Sequence, residues 1–442
     1  MFSHYLHKYK GLSILGLVLT NLFTSGLLQA SPLISIGDNA EVYFDGSSTA
    51  RWTSNVFLSD ENEEEDFLYI LSPGFEFNIG NDASNADFTV LTRYDIVRYH
   101  DLTDLDVELL HVKLRGAYKS SRLELTVSAS YDEQKSNSGD IQIIDQLLES
   151  SLTAGEVRGE YEFSPKISFG TGATYTETEY TGEFEGQLTD QTRTSLPLNI
   201  YYELTPKLDL SLGYTFTDSE IGTTRNERKA SDSEVFLDPL ISTDDIIESF
   251  RDSYERENHF FNIGARGSLL PKLTGYLKVG YRQRSGVTYD TARTNLGTNN
   301  TPLNTPLNSP TINLGKERTM GVDADMYWIM TPKLSTRFGL SRDFGVGSDG
   351  APTKENSVSL SSNLSLSNNW TGNANLGYTQ RDYTRRDRKD DKYSAGIRIF
   401  YLPNRFWQFS GGYSYIDSES RGARKGNSYE AHMVDLNATL RY

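Results

Sequence analysis

The sequence predicts an all-β chain: a transmembrane antiparallel β-barrel of 18 strands, with 16 as the alternative count, short turns at one end and long loops at the other. Three observations predict it. Apolar and polar residues alternate over unusually long stretches, tight polar turns recur along the chain and alternate with longer charged connections, and a lone apolar run at the N-terminus has the layout of an export signal. Composition agrees: 442 residues with no Cys, 36 Gly, 13 Pro and 27 Tyr describe neither a collagen nor a disulfide scaffold. A helical membrane protein is excluded by the single long apolar run and a mean hydropathy of −0.51. The net charge of −17 argues against a nucleic-acid partner, since an acidic surface repels phosphate.

The N-terminal run begins after His4, His7, Lys8 and Lys10, extends from Gly11 to Leu28, and ends in Leu28-Gln29-Ala30 before Ser31. This is the order of a basic region, an apolar region and a small-residue cleavage site, so residues 1–30 are expected to be a signal peptide cut near Ala30. Residues 31–442 then form a single barrel domain in the bacterial outer membrane. Losing Lys8 and Lys10 takes the mature charge to −19.

The strands follow in order. The first, about 41–57, loses strict alternation around Gly46–Thr49. Leu123, Leu125, Val127, Ala129 and Tyr131 share one face, as do Leu208, Leu210, Leu212, Tyr214 and Phe216. Met320, Val322, Ala324, Met326, Trp328 and Met330 form another stripe, and Trp370, Gly372, Ala374, Leu376 and Tyr378 a fourth. Val434 to Tyr442 alternates at every position. These runs reach the roughly nine to eleven tilted residues that cross a bilayer. Tyr118, Tyr131, Tyr175, Tyr202, Tyr214, Tyr281, Tyr378, Tyr401 and Tyr442 stand near the ends of such stripes, where ring and hydroxyl suit the membrane interface.

Tight turns fall at 81–86, 119–121, 164–166, 205–207, 270–272, 331–333, 367–369 and 402–404, four of them Pro-Lys. Between them lie long connections, including 58–66, 135–150, 181–190, 222–253, 287–316 and 347–355. Eight hairpins plus an opening and a closing strand make 18, with both termini on the short-turn side.

If the apolar faces meet lipid, the opposite faces line the lumen. Arg93, Asp95, Lys113, Arg115, Glu156, Arg158, Glu160, Arg266, Lys278, Arg282, Asp323, Asp325, Arg337 and Arg398 are the candidate lumen-lining residues, with His111, Glu162, Arg284, Asp435 and Arg441 beside them. Two uses compete for them: ion pairs that brace the wall, and a polar track for a hydrophilic polymer. The acidic surplus sits in Asp60–Asp66, Glu177–Asp190 and Asp232–Glu257, on the long-loop side, as a solvated rim. Loops 222–253 and 287–316 hold apolar residues and a Thr-Pro-Leu-Asn repeat, candidates for narrowing the mouth. Catalysis is not expected. Asp101 beside His100 is the one acid-His pair on a loop, with no nucleophile, phosphate loop, metal-ligand cluster or cofactor motif to accompany it.

Arg51-Trp52-Thr53-Ser54-Asn55-Val56-Phe57, the acidic stretch closing on Glu65-Asp66, and Leu71-Ser72-Pro73-Gly74-Phe75 resemble the opening of the putative β-barrel porin 2 family. Tyr99-His100-Asp101-Leu102, with His111 on the next strand, is similar to that family too, so the resemblance covers about residues 41–130. It implies an outer-membrane pore that secretes an exopolysaccharide or capsular polymer as a passive conduit, working with periplasmic export machinery. The alternative is a general diffusion porin for small hydrophilic solutes; an apolar-solute channel ranks third because the inward faces are polar. Outer-membrane lipid and, during biogenesis, the barrel-assembly machinery that reads the segment ending in Tyr442 complete the expected partners.

Overall fold

The computed structural model describes residues 32–37, 39–80, 84–137, 146–229, 246–297, 305–308 and 310–442. The candidate signal peptide, part of the first tight turn and parts of the two longest loops lie outside them. The described chain is a closed antiparallel barrel of 18 strands. In chain order these are β1 (Ala40–Thr53), β2 (Asp66–Ser72 continued by Gly74–Ile79), β3 (Ala86–Tyr99), β4 (Val107–Lys119), β5 (Leu123–Ser136) and β6 (Leu148–Ser164). Next come β7 (Ile167–Thr181), β8 (Gln191–Thr205), β9 (Leu208–Ile221), β10 (Tyr254–Leu270), β11 (Leu273–Arg284) and β12 (Glu317–Thr331). The last six are β13 (Leu334–Val346), β14 (Pro352–Ser365), β15 (Trp370–Tyr383), β16 (Lys389–Tyr401), β17 (Trp407–Arg421) and β18 (Tyr429–Arg441). Each pairs with its sequence neighbours. The sheet closes where β1 meets β18, from Asp45 opposite Arg441 to Thr53 opposite Met433.

The exterior is apolar because alternate side chains leave the sheet on opposite faces. Leu198, Leu212, Ile263, Leu376, Ile397 and Leu436 are all exposed, as lipid-facing residues of an isolated barrel must be. Aromatic rings collect near the short-turn end: Phe163 meets Phe169 edge-on, Trp370 stacks on Tyr401 at 4.6 Å, and Phe406 lies 5.7 Å from Tyr442. Tyr378 contacts Tyr393 higher on the same strands at 5.0 Å. Eight residues separate Trp370 from Tyr378, about 26 Å along the strand or roughly 20 Å across the membrane at a tilt near 40°, which fits within the apolar band of roughly 25 Å that such barrels present to lipid.

The Pro-Lys turns share a device. In three of them a Ser or Thr precedes Pro, and its hydroxyl accepts the lysine amide: Lys166 to Ser164, Lys207 to Thr205 and Lys333 to Thr331. Leu270 has no hydroxyl to offer, and there Lys272 takes a φ of 66°.

Two departures from the expected strands have local causes. The first strand ends at Thr53 rather than running on to residue 57. Asn55 stops it: its amide donates to the carbonyls of Ser59 and Glu430, and its Oδ1 accepts the Ser59 amide, drawing the chain into a turn. The second strand is interrupted at Pro73, which has no N–H for the ladder, although its carbonyl still accepts from Tyr94 at 3.0 Å. Gly74 follows because any Cβ there would lie 2.7 Å from the carbonyl oxygens of Asp45 and Thr92. The weak alternation at Gly46 is also accounted for. The ring of Phe44 lies over Gly46, in the space a side chain would occupy, so the outer face stays apolar through a neighbour's ring.

Candidate functional site in the barrel lumen

The inward faces carry the charge, and the register decides which charges meet. Near the seam, Arg93 of β3 reaches Asp45 of β1 at 2.8 Å, Arg441 reaches Glu76 of β2 at 2.7 Å, and Arg398 of β16 crosses β17 to Asp435 at 2.6 Å. His111 of β4 sits between Asp95 on one side, at 3.4 Å, and Asp132 on the other, at 3.1 Å; Lys113 approaches Asp132 at 3.8 Å. Arg115 follows along β4, opposite Thr89 and Ser128.

The densest group lies between β6 and β10. Arg266 donates two hydrogen bonds to the Glu160 carboxylate, at 2.5 and 2.6 Å, and a third to Asp209 at 2.9 Å, while its guanidinium covers the Tyr201 ring at 3.3 Å. The planar fork suits two carboxylates and an aromatic face at once. Glu156 and Arg158 pair with each other along β6. Lys278 donates to Asn199 Oδ1 at 3.0 Å, and Tyr276 donates to Asp323 at 3.4 Å. Asp325 and Arg337 form a fork at 2.6 and 2.9 Å, and Arg282 reaches Asp343 at 3.0 Å. The fourteen sequence-derived positions thus occupy the face opposite the exposed apolar band, and the barrel brings them together in small mixed groups rather than around one deep pocket.

Periodicity alone did not single out Asp45, Asp132, Asp209, Arg193, Glu317 or Asp343. The signal was present for some: Asp209 falls between Leu208 and Leu210 in a strand already assigned, so its inward parity could be read directly.

The long-loop end is narrowed by segments that leave the wall. Residues 347–351, between β13 and β14, reach the far side of β9–β12: Thr189 N–H donates to the Ser348 carbonyl at 3.1 Å and the Gln191 side chain to that of Gly347 at 2.9 Å. Five strand spacings separate β8 from β13, roughly 24 Å along the wall, so this contact folds that side of the mouth together. Arg251 fixes the strap through the Asp349 carbonyl at 2.6 Å and the Thr189 hydroxyl at 2.6 Å, and burial lowers the pKa of its guanidinium from the ordinary value. Tyr254 donates to the Gly350 carbonyl at 2.6 Å. Gly350, at φ 74°, has no room for a Cβ beside Arg251.

Above it the described parts of the two longest loops form a small sheet. Ile246–Arg251 pairs with Thr224–Lys229 and with Val287–Gly297, which in turn pairs with Thr305–Asn308 and Thr311–Leu314. Ile221, Tyr254 and Leu314 are buried together against Val287, Tyr289, Ile312 and Val346. These loops therefore meet the ends of β9, β10 and β13 in an apolar cluster. Val235-Phe236-Leu237 and residues 298–304 lie outside the described residues.

The loop after β1 turns inward as well. Phe57 is buried, its carbonyl accepts from Asn137 beyond β5, and the Leu58 carbonyl accepts from Asn427. Asp66, counted with the acidic rim in the sequence, is instead 3% exposed. Its carboxylate accepts the backbone amides of Asp101 and Leu102, while His100 N–H donates to Phe67. The Glu65-Asp66 and Tyr99–Leu102 motifs are thus two halves of one loop support. Among the described residues no group of three or more His, Cys, Asp or Glu is placed to hold a metal ion.

The comparison with curated proteins yields no match. Among solved structures, OccK1 (OpdK) of Pseudomonas aeruginosa aligns over 91% of this chain and 99% of its own, at 9% identity and a TM-score of 0.39. A BenF-like porin from Pseudomonas fluorescens Pf-5 aligns over 92% and 99%, at 10% identity and a TM-score of 0.40. The ferric-catecholate import receptor Fiu of E. coli K12 aligns over 93% and 82%, at 8% identity and a TM-score of 0.45. Alignments of this quality say nothing about cargo. The family match is of another kind, and it lies at the opposite end of the chain from the N-terminal motifs: residues 312–442, from the approach to β12 through β18, match the family described as putative beta-barrel porin 2.

Proposed function

We propose that this porin-like outer-membrane barrel is a passive pore through which a hydrophilic polymer, an exopolysaccharide or capsular polysaccharide, leaves the cell. The observation that carries the proposal is the wall itself. Arg266 with Tyr201, Tyr276 with Asp323, and Arg337 with Asp325 repeat acid, base and aromatic groups from strand to strand without converging on one tight site. A flexible polar chain passes such a wall by exchanging weak contacts, each readily broken, whereas one deep site would hold it. The family resemblance supports the same cargo, since its members are often linked with exopolysaccharide or capsule export loci. Periplasmic export machinery would deliver the polymer to the short-turn end.

The narrowed mouth favours a second reading, a general diffusion porin, because a strap pinned across the long-loop end restricts what passes to small hydrophilic solutes. One strain separates the two. A null mutant is expected to lose its cell-surface polysaccharide and keep its uptake of small sugars. A mutant that keeps the polymer and loses small-solute permeability overturns the export proposal.

A further inference from the structure

At the narrowed mouth the inward charges do not balance. Arg193 of β8 and Arg282 of β11 both reach one carboxylate, Asp343 of β13, each at 3.0 Å. Just outward of it, Arg284 and Arg256 share Glu317, at 2.5 and 3.5 Å. Four guanidiniums therefore face two carboxylates. Two further acids stand near and leave the surplus unaltered: Glu355 is occupied by Arg381 at 2.8 Å, and Asp323 lies opposite Lys278 in the ladder.

The backbone helps to hold this excess. Arg256 donates to the Ser285 and Gly315 carbonyls and Arg284 to those of Gly345 and Thr353, so both cations are kept in place beyond what Glu317 alone could neutralise. Their side chains are each 2% exposed. Arg282 lies over the Phe260 ring at 3.7 Å, and its buried Nε has no hydrogen-bond partner. Arg193 and Asp343 remain open to the lumen, with 38% and 30% of their side chains exposed.

The surrounding rim is strongly acidic, so position has to decide which charge a permeating ion feels. Rim carboxylates on exposed loops are screened by salt within a Debye length of about 8 Å at physiological ionic strength. Buried guanidiniums are screened far less, and in a narrow passage with low-dielectric walls their field is focused into the lumen.

Resting on the pore reading above, we propose that this constriction makes the channel anion-selective and that its cargo carries negative charge, a uronate-bearing or otherwise acidic polymer in preference to a neutral one. Arg193 is the group that meets the cargo, Arg282 the one behind it, and Asp343 sets how much positive charge is left over. A purely bracing role for the same pairs makes a different forecast, because a brace is weakened alike by loss of its acid or of its base, whereas selectivity moves in opposite directions.

The test uses the full-length protein in planar bilayers under a potassium chloride gradient, with folding of each variant checked by heat-modifiable migration. The wild type is expected to show a reversal potential of chloride preference. Arg193→Gln and Arg282→Gln should each lower the chloride-to-potassium permeability ratio severalfold, and Asp343→Asn should raise it. Oligogalacturonate should reduce the current at concentrations at least tenfold below those of maltodextrin of equal length. A potassium preference in the wild type, a ratio unchanged in a folded Arg282→Gln barrel, or equal block by the two oligomers overturns the proposal. Failure of the export reading shows elsewhere, in a null strain that keeps its surface polymer, and leaves the measured selectivity standing.

Discussion

Replacing Leu376 with Arg tests the assignment of the two faces most directly. Leu376 is 56% exposed on the outer face of β15, six residues from Trp370 at the short-turn end. Six residues rise about 20 Å along a strand, or roughly 15 Å across the membrane at a tilt near 40°, which places Leu376 close to the middle of an apolar band about 25 Å tall. Arg at that depth costs about 2 to 4 kcal/mol. This corresponds to roughly a 30- to 700-fold fall in the ratio of folded to unfolded protein. The adjacent Asn375 projects to the other face, opposite Ser361 and Gly396, where lumen water can solvate a guanidinium. Asn375→Arg is therefore expected to cost at most about 1 kcal/mol, the scale of a solvated surface substitution. The assay is a denaturant titration of both variants in liposomes, following heat-modifiable migration on gels. Equal losses at the two positions would refute the face assignment for β15, and with it the parity from which the lumen residues were drawn.

Three further outcomes follow from the same geometry. Arg266→Ala leaves Glu160 and Asp209 without their shared cation; a broken buried pair costs about 3 to 5 kcal/mol, and lumen water reduces this to about 2 to 3, measurable in the same titration, with Arg266→Lys recovering only part because it lacks the fork. Asp66→Ala removes the acceptor for the amides of Asp101 and Leu102, so the loop at 100–106 should become protease-sensitive at a cost of about 1 to 3 kcal/mol, and intact wild-type resistance there would refute the role given to Asp66. Deleting Leu440 to Tyr442 removes the reciprocal Phe44–Tyr442 backbone bonds and the Arg441–Glu76 pair, so the chain is expected to accumulate in the periplasm; normal delivery to the outer membrane would refute it.

Strand number and face were legible because they depend on local rules. A period of two tells which side a residue takes, and Pro, Asn and Ser clusters tell where the chain turns back, so even the turn at Pro206-Lys207 was visible in its residues. Partners were less legible. Parity places Arg398 in the lumen but cannot say that it skips β17 to reach Asp435, because that depends on strand stagger and side-chain length. The strap was out of reach altogether: Thr189 and Ser348 meet only because the wall between them closes on itself and the loop bends inward. Asp66 misled for a different reason, since six acids in a row of seven look like a solvated run, and only the fold shows that the last of them turns under a loop as an anchor.

The junction of β1 with β18 gives the barrel a clasp. Every other pair along the wall joins stretches linked by a turn or a loop, so each can form soon after its second member emerges. Asn437 and Thr49, whose side chains meet at 2.7 Å across the junction, are 388 positions apart. Until they meet, two raw edges of unpaired N–H and C=O groups stay open to any other strand in reach. Bringing such distant segments together as a free coil would cost about 5 kcal/mol in loop entropy; hairpins that zip in order and curl as they grow deliver the two edges side by side at far less. Time, more than final strength, is then what the clasp governs. Substitutions such as Asp45→Ala or Arg441→Ala bear on how long an unfinished sheet lies open, and a chain that dwells there has its neighbours' edges as the alternative partner.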